Sequence, residues 1–276
     1  MTRSPFQCQT PGLRTTVLRV SLVEHTPRAG VIWSGATHVR ARPWPTVPGR
    51  AFLLITGSHG PDIRLPDQAV LTTWLATLSS WGYDSVRTSA LAPAAASAFI
   101  DIGFTVVQEL SLLERSHSGH SAVSSPETST ITSLRITPFS RSLKNSSIAE
   151  LLSVDLAAFG PEWAMDEETL REALSATKRV RLFVWRSHER IDGFVLAGAT
   201  GNQGFVQRLA VHPDSQREGI ATQLLEAAIA WTQRCGCRST VVNTEISNTA
   251  ALGAYHRFGF TQMDYGLSVL EIQFHQ

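Results

Sequence analysis

Phe205-Val-Gln-Arg-Leu-Ala-Val-His-Pro-Asp-Ser-Gln-Arg-Glu-Gly-Ile-Ala221 runs from a β-branched apolar strand through a polar turn into a helix. The strand covers Gly204 to Val211. From Ile220 onward the apolar residues Ile220, Leu224, Ala228, Trp231 and Cys235 recur every three or four positions, which predicts a helix buried along one face. Gly219 stands at its N-terminus, where unpaired amides point outward and the helix dipole favours an anion. A glycine there lets a ligand approach the backbone with no Cβ in the way, and Ala221 keeps the next turn small. A phosphate suits such a turn, although a plain strand-to-helix connection has the same outline.

The surrounding segments extend this into a mixed α/β layer. Leu134-Arg-Ile-Thr-Pro138 alternates as a strand, and Ser147-Ile-Ala-Glu150 has the pattern of a capping box, followed by an apolar stripe at Ile148, Leu151, Leu152, Leu156 and Phe159. Gly160-Pro161 breaks this helix. Asp166-Glu-Glu168 puts acidic residues in the first turn of another, running to about Thr177. Strands follow at Val180–Arg186, Ile191–Ala199 and Gly204–Val211, linked as hairpins. After the central helix, which Gly236 ends, come a short strand Thr240–Thr244, a helix capped by Asn248 and stopped by Gly259, and a closing strand Leu267–Phe274. The order is βααβββαβαββ.

The first half repeats part of this text. Ala92-x-x-Ala95-x-x-x-Phe99-x-x-x-Gly103-Phe104 matches Asn248-x-x-Ala251-x-x-x-Tyr255-x-x-x-Gly259-Phe260, and Leu110-Ser-Leu-Leu-Glu114 matches Leu267-Ser-Val-Leu-Glu271. The apolar helix around Leu71–Leu78, stopped at Gly82, mirrors the one ending at Gly236. The copy is eroded. Gly57–Asp67 lacks the spacing around Gly219, Ala92 replaces Asn248, and Phe99 replaces Tyr255. Between the halves, Ser116–Ser133 is rich in Ser and Thr and reads as a linker. The expected organisation is a degenerate unit at 1–115, a linker at 116–133 and a catalytic unit at 134–276.

Composition narrows the function class. With 24 basic and 23 acidic residues the net charge is +1, and only Lys144 and Lys178 are lysines, so no field or basic run invites nucleic acid. No apolar span of ~18 residues occurs, so a cytoplasmic location away from membranes is expected. Cys8, Cys235 and Cys237 lack the companions of a zinc site, and no metal is expected.

Gln216-x-x-Gly219-x-Ala221 and the Asn248–Phe260 pattern, in this order and on these elements, resemble the GNAT superfamily of acyl-CoA-dependent N-acetyltransferases. The second pattern is closest to the branch that includes ribosomal-protein N-terminal acetyltransferases, and the likeness spans about Leu134 to Gln276. It implies acetyl-CoA as cosubstrate. Gln216, Arg217, Glu218, Gly219, Ile220, Ala221 and Thr222 would hold its pyrophosphate, and Leu209, Ala210 and Val211 would pair with its pantetheine arm where the fourth and fifth strands splay. Asn248 would touch the pantetheine, and Tyr255 would bind the coenzyme and protonate the departing thiolate, unless it is one more aromatic packed in a core. Every one of these contacts lies after Ser133, so residues 134–276, if they fold alone, would suffice for the coenzyme. The tandem arrangement is also similar to mycothiol synthase, whose carboxy-terminal unit does the chemistry.

The resemblance departs at one place. Members of that branch often carry a glutamate five residues before the asparagine, where this chain has Asn243. Glu245 is the neighbouring acid and a candidate base, or a solvated loop carboxylate. An α-amine of pKa ~8 is ~10% neutral at pH 7, whereas a lysine amine is neutral only about once in 2,500 molecules, so a site without a strong base suits an α-amine or another weakly basic amine. Phe159, Pro161 and Trp163, with Asn243, Met263 and Tyr265, are expected around the acceptor. The resulting expectation is direct acetyl transfer in a ternary complex. The rival is a non-catalytic acyl-CoA sensor whose first unit binds a partner protein.

Overall fold

A computed structural model of the chain describes residues 28–34, 37–55, 66–117, 131–134, 145–187 and 190–274. The first half holds β1 (Gly30–Ser34), β2 (Thr37–Pro43), β3 (Arg50–Leu54), α1 (Gln68–Ser80), β4 (Ser85–Thr88), α2 (Pro93–Ile100) and β5 (Thr105–Ser116). The second holds β6 (Ile131–Leu134), α3 (Asn145–Phe159), α4 (Glu167–Ser175), β7 (Arg179–Ser187), β8 (Arg190–Thr200), β9 (Gln203–Val211), α5 (Ile220–Arg234), β10 (Ser239–Glu245), α6 (Thr249–Arg257), β11 (Thr261–Gln262) and β12 (Leu267–Gln273). The second half therefore follows the predicted βααβββαβαββ order.

The twelve strands form one mixed sheet in the order β1-β2-β3-β4-β12-β5-β10-β9-β8-β7-β6, with β11 also against β5. This order crosses the repeat. β12 enters the first half beside β4, with Ile272 opposite Val86, and β5 enters the second half beside β10, with Leu113 opposite Val242. Each half thus completes its sheet with the other's last strand. The chemistry permits it because both strands carry the same Leu-Ser-x-Leu-Glu alternation. Leu113 packs with Val242, Tyr255 and Phe260, while Leu270 packs with Val86, Phe99 and Phe104. Fully burying a Leu or Phe side chain stabilises by ~1.5–3 kcal/mol, so each strand is held by the core it visits.

On one face α5 and α6 cover the second half and α1 and α2 the first. On the opposite face α3 packs over β8 and β9 through Leu151, Val154, Phe194, Leu196 and Ala210.

Three local expectations need correction. A strand is observed at Ile131–Leu134, paired with β7, so Ile131–Ser133 are strand and not linker, while all but Leu134 of the strand expected at Leu134–Pro138 lies outside the described residues. Residues 118–130 and 135–144 lie outside the described residues, as do Cys8 and most of Gly57–Asp67. Ser147 lies inside α3 and not at its cap, and Glu150 pairs with Arg186 at 3.2 Å. The α3 stripe is rotated: Leu156 and Phe159 are exposed, and the buried face carries Leu151, Val154 and Asp155. Asp155 can be buried because Arg208 reaches it with two bonds of 2.7 and 2.9 Å and the Met165 amide with one of 2.7 Å.

Among the described residues no helix is long and apolar enough to cross a membrane, and no group of His, Cys, Asp or Glu is arranged to hold a metal ion.

Candidate active site

The loop between β9 and α5 is built by its backbone. A 3-10 turn at Pro213–Ser215 leads into Gln216–Gly219, whose side chains are exposed. Arg217 and Gly219 both take left-handed backbone, φ 67° and 81°. Gly219 occupies the N-cap of α5 and offers no side-chain cap, so the first amides of the helix are left for a ligand. A Cβ at Gly219 would meet no atom within 4 Å and would stand in the open space beside those amides, where a pyrophosphate fits. Gln216 has a role of its own, since its Nε2 donates to the Val211 carbonyl at 3.3 Å and ties the loop to the end of β9.

Beside the loop the sheet opens. β9 and β10 pair in parallel from Gln203 opposite Ser239 to Val206 opposite Val242, and the pairing stops there. One step further a bulge at Gln207 shifts the β8–β9 register, which runs from Ala197 opposite Val206 to Leu196 opposite Arg208. Leu209, Ala210 and Val211 then pair with β8 alone and leave their other edge facing the gap. Sequence reasoning placed the gap but not the bulge, which has no pattern of its own.

Tyr255 lies on α6, buried in the cluster that includes Val211, Ile220 and Leu224, with Leu209 and Ala251 at its margin. Its ring meets Phe260 edge-on at 5.7 Å. Burial pushes the phenol up to about 12, so it keeps its proton throughout the neutral range and has one to donate. Asn248 caps α6, its side chain accepting from the Ala251 amide at 3.0 Å.

At the end of β10, Asn243 is exposed and Glu245 half-buried, two residues apart on the same face. Glu245 accepts a hydrogen bond from the Gln108 side chain and another from Ser247 Oγ at 3.5 Å. The approach of β12 to β5 needs Gly266, directly before β12, because a Cβ there would fall 2.4 Å from the Leu110 carbonyl. Tyr265 is exposed beside it.

Residues 147–260 match the family model described as "Acetyltransferase (GNAT) family". The chain carries a GNAT acetyltransferase domain. Over 61 residues it is 39% identical to N-alpha-acetyltransferase 30 of Saccharomyces cerevisiae, covering 22% of this chain and 35% of that protein. Over 115 residues it is 32% identical to the mycothiol acetyltransferase of Pseudarthrobacter chlorophenolicus, covering 41% and 34%. The chain thus spans only about a third of the length of these two relatives. A tandem GNAT protein from the clavulanic acid biosynthesis pathway shares the fold over 88% of this chain and 81% of its own, with a TM-score of 0.58 and 14% identity. The fold is a tandem GNAT fold.

The GNAT domain meets the first half across the α3–α4 connection. Trp163 stacks edge-on with Trp44 at 5.7 Å, and the Arg87 guanidinium lies 4.9 Å from both rings. Arg87 also binds Glu162 at 2.9 Å and Glu271 at 2.6 Å, and Trp44 Nε1 donates to the Glu162 carbonyl at 3.1 Å. Phe159 lies under the Arg208 guanidinium at 3.5 Å. Trp163 and Phe159 are therefore both engaged with arginines. No sequence signal pairs Arg87 with Trp163.

In the first half the corresponding opening is bridged. β3 and β4 pair from Arg50 opposite Ser85 to Leu53 opposite Thr88, and one residue on the Ser89 amide donates to the Leu53 carbonyl at 2.9 Å. Ser89 Oγ then accepts from the Ile55 amide at 3.3 Å, so a side chain spans the place where β9 and β10 stay apart. Phe99, in the position of Tyr255, is buried and has no proton to give.

Proposed function

We propose that this protein transfers an acetyl group from acetyl-CoA to an amine, with the amine attacking directly while both substrates are bound. One observation carries the reading: the parted β9 and β10 strands adjoin a helix N-terminus that Gly219 leaves uncapped. Acetyl-CoA would supply an activated thioester. The amides of residues 217–222 would hold its pyrophosphate, and the open edge of Leu209, Ala210 and Val211 would take its pantetheine arm. Those same amides stabilise charge on a carbonyl oxygen. Tyr255 gives its proton to the leaving sulfur, and Glu245 takes one from the amine.

The acceptor would enter from the face that carries Asn243, Glu245, Tyr265, Phe159 and Trp163. An α-amine, of a peptide or a small molecule, fits a site whose base is one half-buried carboxylate. Its low pKa leaves ~10% already neutral at pH 7. Incubating the full chain with acetyl-CoA and a panel of peptides and small amines, with thiol release and product mass as readouts, tests this. Acetylated α-amines are the expected products. Tight coenzyme binding without turnover on any amine would favour a sensor instead.

A further inference from the structure

The gap between β9 and β10 removes a neighbour from Glu245. Below Val242 the strand β10 has partners on both sides, but at the level of Glu245 its only paired strand among the described residues is β5, with Leu110 opposite. β5 belongs to the first repeat. Gln108, two residues from Leu110, projects from the same face, and its Nε2 donates to Glu245 Oε1. The strand is shaped at this point, since the β5–β12 register jumps from Gln108 opposite Val269 to Val106 opposite Leu270 and leaves Val107 as an extra residue. Gln108 is half-buried and 137 residues from its partner.

We infer that Gln108 is a positioning residue for Glu245, so that the active centre is completed by the repeat whose sequence lacks the spacing found around Gly219. Without the Gln108 amide, the carboxylate would keep only the 3.5 Å bond from Ser247 Oγ among the described residues. The amide occupies one of its oxygens and turns the remaining lone pairs toward the open face. The inference rests on Glu245 acting as the base proposed above.

The test uses the full chain with acetyl-CoA and a free α-amine that it acetylates, comparing Gln108→Met, Glu245→Gln and the double variant. Methionine keeps the length of the side chain and removes the donor. Gln108→Met is expected to lower kcat ~10-fold or more within the range of a positioned base, with acetyl-CoA affinity by calorimetry unchanged. Glu245→Gln is expected to lose at least as much, and the double variant no more than Glu245→Gln. In the ligand-free protein, the Gln108 side-chain amide resonance should move in Glu245→Gln while that of Gln262 does not. If the two kinetic losses multiply, or the resonance stays in place, Gln108 does not act through Glu245 and the inference is overturned. An impaired Glu245→Gln beside a fully active Gln108→Met overturns the positioning role alone, whereas a fully active Glu245→Gln overturns the base and its positioning together. Should the methionine variant fail to fold, Gln108→Glu keeps the size, opposes Glu245 with a like charge and is read in the same way.

Discussion

Leu110 and Leu267, which hold the same place in the two repeats, face each other across the antiparallel β5–β12 pair. The two halves therefore meet about a local two-fold relation, and the last strand of each lies inside the other's sheet. Neither half holds its whole sheet within its own stretch of sequence.

A fragment of residues 134–276 should not behave as an autonomous coenzyme-binding unit, although every proposed coenzyme contact lies within it. It lacks β5, which pairs with β10 from Ser239 to Glu245 and supplies Leu113 to the core around Tyr255. Losing a buried leucine alone costs ~2–5 kcal/mol, comparable to much of a domain's stability. Size-exclusion chromatography and calorimetry should find it aggregated and without acetyl-CoA binding, while the full chain binds.

Tyr255→Phe should leave folding and coenzyme affinity intact and lower turnover at least ~10²-fold, within the range of a positioned general acid. The phenol also has a signature in stability. Its folded pKa of about 12 lies above the unfolded value of 10.0, so the stability it contributes is complete below pH 10 and is lost as pH rises towards 12. The loss is on the order of 3 kcal/mol. Denaturation of wild type and variant as a function of pH should therefore part company only above pH 10.

Gly219→Val should abolish coenzyme binding at concentrations that saturate the wild type. The side chain projects into open space beside the helix amides, and a β-branched residue at φ 81° carries strain as well. Gly219→Ala separates the two effects, since it bears the left-handed backbone cost of ~1–2 kcal/mol with little added bulk. Calorimetry alongside thermal denaturation reads both.

Arg208→Met should destabilise the fold by ~3–5 kcal/mol, because it leaves the fully buried Asp155 carboxylate with the Met165 amide alone. Replacing Asp155 by leucine in the same chain should restore much of the loss. Chemical denaturation of the two variants measures it.

Trp163→Ala should raise the acceptor KM and leave coenzyme affinity alone. It removes a ring that stacks on Trp44 and Arg87 and that is proposed to border the acceptor. An unchanged acceptor KM in a folded variant would remove Trp163 from the acceptor wall and leave it as a contact between the halves.

The long periodic elements were legible in the sequence, from the one-faced helix at Ile220–Arg234 to the hairpin strands on its N-terminal side, because a buried face writes its period directly. The Gly219 turn was legible for the same local reason. The strand exchange was not. Leu110–Glu114 and Leu267–Glu271 alternate identically, and identical alternation satisfies either sheet, so the pattern states that a strand exists and leaves its neighbours open. The α3 face was misread because burial of Asp155 depends on Arg208, an ion pair that hydrophobic periodicity does not register. Gln108 was invisible as a partner of Glu245, since nothing local marks a residue for a contact so distant along the chain.

The exchanged strands make this chain a dimer that dilution cannot take apart. Two separate subunits that traded strands would be bound to identical sequences and to an equilibrium set by their concentration. Joined in one chain, each half meets the other at a fixed, high effective concentration and is released from self-complementarity. One half could then shed its phenol and let a serine hydroxyl stitch its opening shut, while its last strand stayed under the constraint of a neighbour's needs. Inequality between the halves is a freedom that covalent linkage confers.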